Sequence, residues 1–214
     1  VTVEARVGGR MGDIYGYKFQ RSPDGQIIYK ANGLPAMTAG KELIGNYNPD
    51  FMLGFRNQFK YKGAMLSFLF DIRKGGTLYS YTNTIGAETG MLPFTLDLGR
   101  DRIVGDGVVK VTDANGGETY QPNTKSVAAY EYYFAGGYYN RENAESNSFD
   151  ASYIKLRELS IGYVFKAAQL KAFRIHELGI SLVARNLLRW TKTPQFLDPE
   201  TMGMNGGTLL PGIE

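Results

Sequence analysis

His176 is the only histidine in the chain, so an imidazole base for a Ser/His/Asp relay would have to come from that one position. It stands between Ile175 and Glu177, at the start of an alternating segment, and no Gly-x-Ser-x-Gly motif supplies a nucleophile. The residue reads as a surface or interface histidine. Cysteine is absent, which removes thiolate zinc sites, disulfides and thiol nucleophiles together. Asp97, Asp101, Asp106 and Asp113 could be paired as glycosidase carboxylates or gathered around Ca²⁺, yet their spacing matches no EF-hand pattern and any loop-rich chain offers such choices. Gly203-Met-Asn-Gly-Gly207 lacks the Lys-Ser/Thr pair of a phosphate-cradling loop and reads as a turn. The expectation is a chain with no catalytic residue, no metal and no cofactor, and not an enzyme.

One cluster has chemistry of another kind. Tyr130-Glu-Tyr-Tyr-Phe134 and Tyr138-Tyr139 place Tyr132, Tyr133, Tyr138 and Tyr139 within a short span. Tyrosine combines a flat apolar ring with a hydroxyl, which suits sugar rings or peptide side chains, so these four are the candidate substrate-binding residues. The same rings could instead pack a long loop or form an interfacial girdle.

The elements that must position such a cluster are strands. Phe51, Leu53, Phe55, Phe59 and Tyr61 share one parity while Arg56, Gln58 and Lys60 hold the other, the period of a strand with one apolar face. After Lys62-Gly63, residues Ala64, Leu66, Phe68, Phe70 and Ile72 alternate with Ser67, Asp71 and Arg73, which predicts a hairpin over 51–73. In a second hairpin, Leu159, Ile161, Tyr163 and Phe165 keep one parity, but Ile154 and Leu156 keep the other, so one extra residue near Arg157-Glu158 is expected as a β-bulge. On its return strand Leu178, Ile180, Leu182, Ala184, Leu188 and Trp190 face one way, and Ser181, Arg185 and Arg189 the other. Leu170 and Phe173 are at helical spacing in the intervening linker. Residues 74–150 lose the alternation and fill with Gly, Asn, Asp and Tyr, a length of loop unusual in a compact domain.

Composition bounds the class. The 214 residues are 43% hydrophobic and carry no apolar run long enough for a transmembrane helix. A mean hydropathy of −0.27 does not argue against a β-barrel, whose strands alternate lipid-facing and lumen-facing residues. Gly 27 and Tyr 15 fit many strands, tight turns and aromatic girdles. A net charge of +3, with Lys and Arg scattered along the chain, excludes a nucleic-acid binder. Residues 1–7 alternate like a strand and do not read as a signal peptide.

The segment Tyr153-Ile-Lys-Leu-Arg-Glu-Leu-Ser-Ile-Gly-Tyr163, followed by Leu182-Val-Ala-Arg-Asn-Leu-Leu-Arg-Trp-Thr-Lys-Thr-Pro194 and Asp198-Pro-Glu200, resembles the C-terminal signature of the SusC/RagA family of TonB-dependent outer-membrane transporters. Met11-Gly-Asp-Ile-Tyr-Gly-Tyr17, Asp24-Gly25, Gly45-Asn-Tyr-Asn-Pro49 and Arg73-Lys-Gly-Gly76 follow the family's order too. The resemblance implies an all-β fold, an antiparallel transmembrane β-barrel portion of a roughly 22-stranded barrel with long extracellular loops. It implies import of glycans or peptides, a SusD-like lipoprotein partner, a TonB complex engaged through the absent N-terminal part, and residence in the outer membrane of a Gram-negative, Bacteroidota-like bacterium. Residues 1–214 are then expected to be the C-terminal portion of the barrel, with plug domain and final strand absent. Phe51, Leu53, Phe55, Phe59, Leu66, Phe68, Phe70, Leu159, Ile161, Ile180, Leu182 and Leu188 are expected to face outer-membrane lipid, and Arg56, Lys60, Asp71, Ser181 and Arg185 the lumen. Residues 74–150 are expected outside the cell; Lys62-Gly63 and the 166–174 linker are expected in the periplasm. The alternative is a soluble, secreted β-sandwich or carbohydrate-binding module.

Overall fold

The computed structural model describes residues 1–134, 136–169, 175–201, 203–205 and 208–214. The chain divides into two compact units. One holds residues 49–75 and 151–195; the other holds residues 1–48, 76–150 and 196–214.

The first unit is one antiparallel sheet. Its strands are β1 (Phe51–Tyr61), β2 (Ala64–Lys74), β3 (Tyr153–Lys166) and β4 (Glu177–Thr191), in the order β4-β3-β2-β1. Lys62 and Gly63 both have positive φ, 47° and 93°, the pair of left-handed residues that a two-residue turn between right-twisted strands demands. The register runs without a break from Tyr61 opposite Ala64 to Phe51 opposite Lys74.

Cross-strand partners share a face, so register decides which side chains lie together. Phe55 pairs with Phe70 and Phe59 with Leu66. Leu156 pairs with Phe70, Leu159 with Phe68 and Ile161 with Leu66. Across the next ladder Leu156 pairs with Leu188, Ile161 with Leu182 and Tyr163 with Ile180. The register shift expected from the sequence occurs between Leu156 and Glu158, where Arg157 is the surplus residue against β2. That bulge is what lets even-numbered Ile154 and Leu156 join odd-numbered Leu159 and Ile161 on one apolar face. The opposite strand answers with an irregularity of its own at Asn186, where φ is 51°.

The apolar face is exposed: Leu182 is 75% accessible, Ile180 60% and Phe59 56%. The other face is polar. Glu158 lies 3.1 Å from Arg56 and 3.9 Å from Arg185, and Arg157 reaches Asp71 at 2.7 Å, with the Tyr153 hydroxyl donating to the same carboxylate at 3.2 Å. Lys155 is buried, its ammonium 4.8 Å from the Tyr153 ring centroid. Aromatic residues mark both ends of the apolar face, with Tyr61, Tyr163 and Phe165 at the Lys62-Gly63 end and Phe51 and Trp190 at the other.

The second unit is built from short strands. Thr2–Val3, Asp13–Gly16 and Glu42–Asn46 form a three-stranded antiparallel sheet. Ile28–Tyr29 runs parallel to Val108–Thr112, which makes a hairpin with Glu118–Pro122; Arg102–Val104 pairs with Ser126–Ala128 and Thr77–Tyr79 with Ser148–Asp150. The described residues of 74–150 are therefore folded into short pairs, with two α-helices, α1 (Tyr81–Glu88), capped by the Ser80 hydroxyl accepting from the Asn83 amide, and α2 (Ala129–Tyr133), and a 3-10 turn at Pro93–Leu96. No apolar periodicity marks α1, because the residues it buries are Asn83, Thr84 and Ala87. Fully buried asparagines satisfy the irregular backbone: Asn143 donates to the Tyr138 carbonyl at 2.7 Å, Asn147 to the Asn143 carbonyl at 2.9 Å, and Asn83 to the Asn147 side chain at 2.9 Å. The helical turn expected from Leu170 and Phe173 lies outside the described residues. So do Gly206 and Gly207, although Gly203–Asn205 and Thr208–Leu210 pair on either side of them.

A Cβ at Gly63 would lie 2.7 Å from the Val164 carbonyl oxygen as well as demanding an unfavourable φ. Gly63→Val should therefore lower the unfolding free energy by about 1–3 kcal/mol, read as a shift of the urea midpoint.

Candidate functional site

The four tyrosines come together in the second unit. Tyr132 and Tyr133 lie on α2 and are 4% and 6% exposed, in a core with Tyr29, Ile103, Val127 and Ala129. Tyr138 and Tyr139, partly buried, pack against that core. The chain turns back on itself after α2, with the Tyr138 amide donating to the Tyr132 carbonyl at 2.6 Å. Gly137 permits that closure, since a Cβ there would sit 1.8 Å from the same carbonyl oxygen. The rings then layer: Tyr132 on Tyr138 at 5.8 Å, Tyr133 on Tyr139 at 6.2 Å, Tyr138 against Phe19 at 4.6 Å and Tyr139 against Phe94 at 4.8 Å.

These rings enclose a cavity of about 350 Å³. Its walls are the four tyrosines with Tyr29 and Phe94, and its lining includes the exposed Asp97 and Asp106. The Tyr133 hydroxyl is buried and has no hydrogen-bond partner among the described residues. Burial raises the pKa of every tyrosine in the cluster. Tyr139 is pushed up to about 12, first by loss of water and then by neighbouring Tyr138, Tyr133 and Asp97. Tyr132, Tyr133 and Tyr138 rise for the same first reason. The charged residues of the cavity lining, Asp97 and Asp106, are both acidic and exposed.

The sequence brought the four tyrosines to notice but not their companions. Tyr29, Phe94, Asp97 and Asp106 come from segments far along the chain, and no local pattern ties them to α2. Asp113 is engaged in its own hairpin, accepting from the Asn115 and Gly117 amides at 2.8 and 2.7 Å. His176 is exposed. Among the described residues, no group of three or more His, Asp or Glu side chains could hold a metal ion, and no helix is long and apolar enough to cross a membrane.

No protein-family model matches the sequence. The chain is similar to TonB-dependent receptor P3 of Formosa agariphila, 23% identical over 214 residues that cover 91% of this chain and 19% of that receptor. It is also similar to TonB-dependent receptor P39 of the same bacterium, 29% identical over 208 residues covering 94% of this chain and 18% of the relative. The chain thus spans about one fifth of the length of the curated relatives it matches. Among solved structures, its fold is similar to chains of the RagAB peptide importer. In the open-open state the TM-score is 0.55 at 18% identity, covering 94% of this chain and 20% of that one. In the closed-closed state the TM-score is 0.52 at 16% identity, covering 94% and 21%. Strand-rich fold and sequence together define the class: this chain is similar to a portion of a TonB-dependent receptor. The particular likeness is to the SusC/RagA type, as the sequence motifs imply. The relatives are named as receptors and importers, which fits a chain without a catalytic role.

Tyr132→Ala should open a void in this core and cost about 3–5 kcal/mol, measured as a fall in unfolding midpoint. Tyr79, buried, is likewise held at about 12. A tyrosine whose pKa is raised on folding contributes stability that is whole below its unfolded pKa near 10 and is lost as pH rises toward the folded value. The tyrosine contribution should accordingly be constant below pH 10 and decline between about 10 and 12, recorded as a fall in thermal midpoint across that alkaline range.

Proposed function

We propose that this chain forms part of the wall and extracellular loops of a TonB-dependent outer-membrane transporter that imports glycans or peptides. The observation that carries this reading is the four-stranded sheet with one continuous, exposed apolar face and one charged face. Each strand of the first hairpin has 11 residues. At a rise of about 3.4 Å per residue such a strand reaches roughly 37 Å, enough to cross a 30 Å hydrocarbon core at a tilt. Tyr and Trp at the two ends of the apolar face match the girdles at the two interfaces of a membrane barrel. On this reading Leu53, Phe59, Phe68, Ile161 and Leu182 meet lipid, while Arg56, Lys60, Asp71, Ser181 and Arg185 line the lumen. A soluble sandwich would have to bury Ile180 and Leu182 against a second sheet, and both are exposed.

The whole transporter works with a SusD-like surface lipoprotein, and TonB supplies energy through regions outside this chain. Import then requires no bond-making by these residues. Tyr132, Tyr133, Tyr138 and Tyr139 serve substrate capture: the pocket they wall is concave, aromatic and edged by polar groups, the usual composition of a ligand site.

In the full-length receptor folded in lipid vesicles, Leu53→Arg or Phe68→Arg should cost about 2–4 kcal/mol, whereas Gln58→Arg on the charged face should cost little. Equal costs on the two faces would refute the lipid assignment. Sidedness can be read at the hairpin turn. Lys62 already holds its positive φ with an exposed side chain, so Lys62→Cys is better tolerated than a change at Gly63. An impermeant maleimide should label this cysteine only after the outer membrane is permeabilised; efficient labelling of intact cells would place the turn outside.

A further inference from the structure

Resting on the capture reading above, we propose that the tyrosine pocket takes a cationic side chain, the guanidinium of an arginine or the ammonium of a lysine carried on a peptide. Three observations bear on the chemistry of the ligand. Tyrosine rings line the cavity, and a cation held within about 6 Å of a ring centre is attracted to the ring's negative quadrupole. The charged groups of the lining are both carboxylates, Asp97 and Asp106, and among the described residues neither is in an ion pair. The buried Tyr133 hydroxyl, on a side chain that lines the cavity, lacks a partner.

Among the described residues, no basic residue lines the cavity. The cations whose fields reach the rings are engaged elsewhere: Arg21 pairs with Glu145 at 2.5 Å, and Arg100 donates to the Gly90 carbonyl at 2.8 Å. Asp97 acts in the other direction, adding to the burial that raises Tyr133 and Tyr139. Both charges in the lining itself are therefore negative. A volume of about 350 Å³ holds one long side chain, and a folded peptide would not fit. A neutral sugar could stack on the same rings, but it would leave the two carboxylates without a counter-charge.

The test uses the full-length receptor in detergent and two tetrapeptides, Gly-Arg-Gly-Gly and Gly-citrulline-Gly-Gly, which differ in charge and hardly in shape. Binding is measured by calorimetry for the parent, for Asp97→Asn with Asp106→Asn, and for Tyr138→Ala with Tyr139→Ala. The arginine peptide should bind roughly five to ten times more tightly than the citrulline peptide, and the asparagine variant should erase most of that difference. Both aspartates are exposed and in no ion pair among the described residues, so an unchanged melting curve is expected for that variant. Equal binding of the two peptides, both weakened by the tyrosine pair, would overturn the cation assignment and leave capture by the loops standing. Unchanged affinity in the tyrosine variant would overturn both. Failure of the arginine peptide to bind at millimolar concentration would overturn the proposal too, as would a neutral maltooligosaccharide that binds through Tyr138 and Tyr139 with no response to the aspartate changes.

Discussion

A strand presents alternate residues to opposite faces, so a single residue out of step turns every side chain beyond it over. In this sheet the sequence of β3 is out of step, with Ile154 and Leu156 on even numbers and Leu159 and Ile161 on odd ones. The bulge at Arg157 absorbs the difference. Because it does, the large apolar residues Phe55, Phe59, Phe68, Phe70, Leu156, Leu159, Ile161 and Leu182 lie on one surface, and Arg56, Asp71, Glu158 and Arg185 on the other. The bulged residue is itself used: its guanidinium reaches Asp71 on the neighbouring strand, and the Tyr153 hydroxyl shares that carboxylate. Without this correction the apolar surface would be cut in two, with leucines set among arginines.

The short-stranded unit meets a different constraint. Its segments are brief and irregular, so many backbone groups have no ladder to join. Asparagine supplies the missing partners from fully buried positions, in the run from Asn83 through Asn147 to Asn143. Aromatic rings supply bulk where alternating aliphatic residues are absent, and Gly137 lets the Tyr132 carbonyl approach closely enough for the chain to reverse. The tyrosine pocket follows from this economy. Rings packed together from distant segments leave a space among them, and the Tyr133 hydroxyl carried into the interior meets no partner among the described residues. Core and candidate site are thus made of the same residues.

The transporter reading joins these two designs to one task. An apolar surface without a covering layer suits lipid, a charged surface suits water, and loops folded around aromatic rings suit contact with varied ligands. None of these features asks for a general base, a metal or a nucleophile.

Period-two alternation was strong enough in the sequence alone to reveal both hairpins, the Lys62-Gly63 turn, the break near Arg157 and the sorting of apolar from charged residues. These are local properties: parity is set by neighbours along the chain, and the only long-range demand is that faces match. The tyrosine cluster was visible too, as composition. What the sequence could not show was how residues 74–150 pair, since strands of three to five residues carry too few alternations to read and α1 buries Asn83 and Thr84 in place of an apolar stripe. Nor could it join Tyr29, Phe94, Asp97 and Asp106 to Tyr132 and Tyr139. Those contacts are decided by tertiary packing, because segments distant in the chain meet only once backbone hydrogen bonds and buried rings have found their partners.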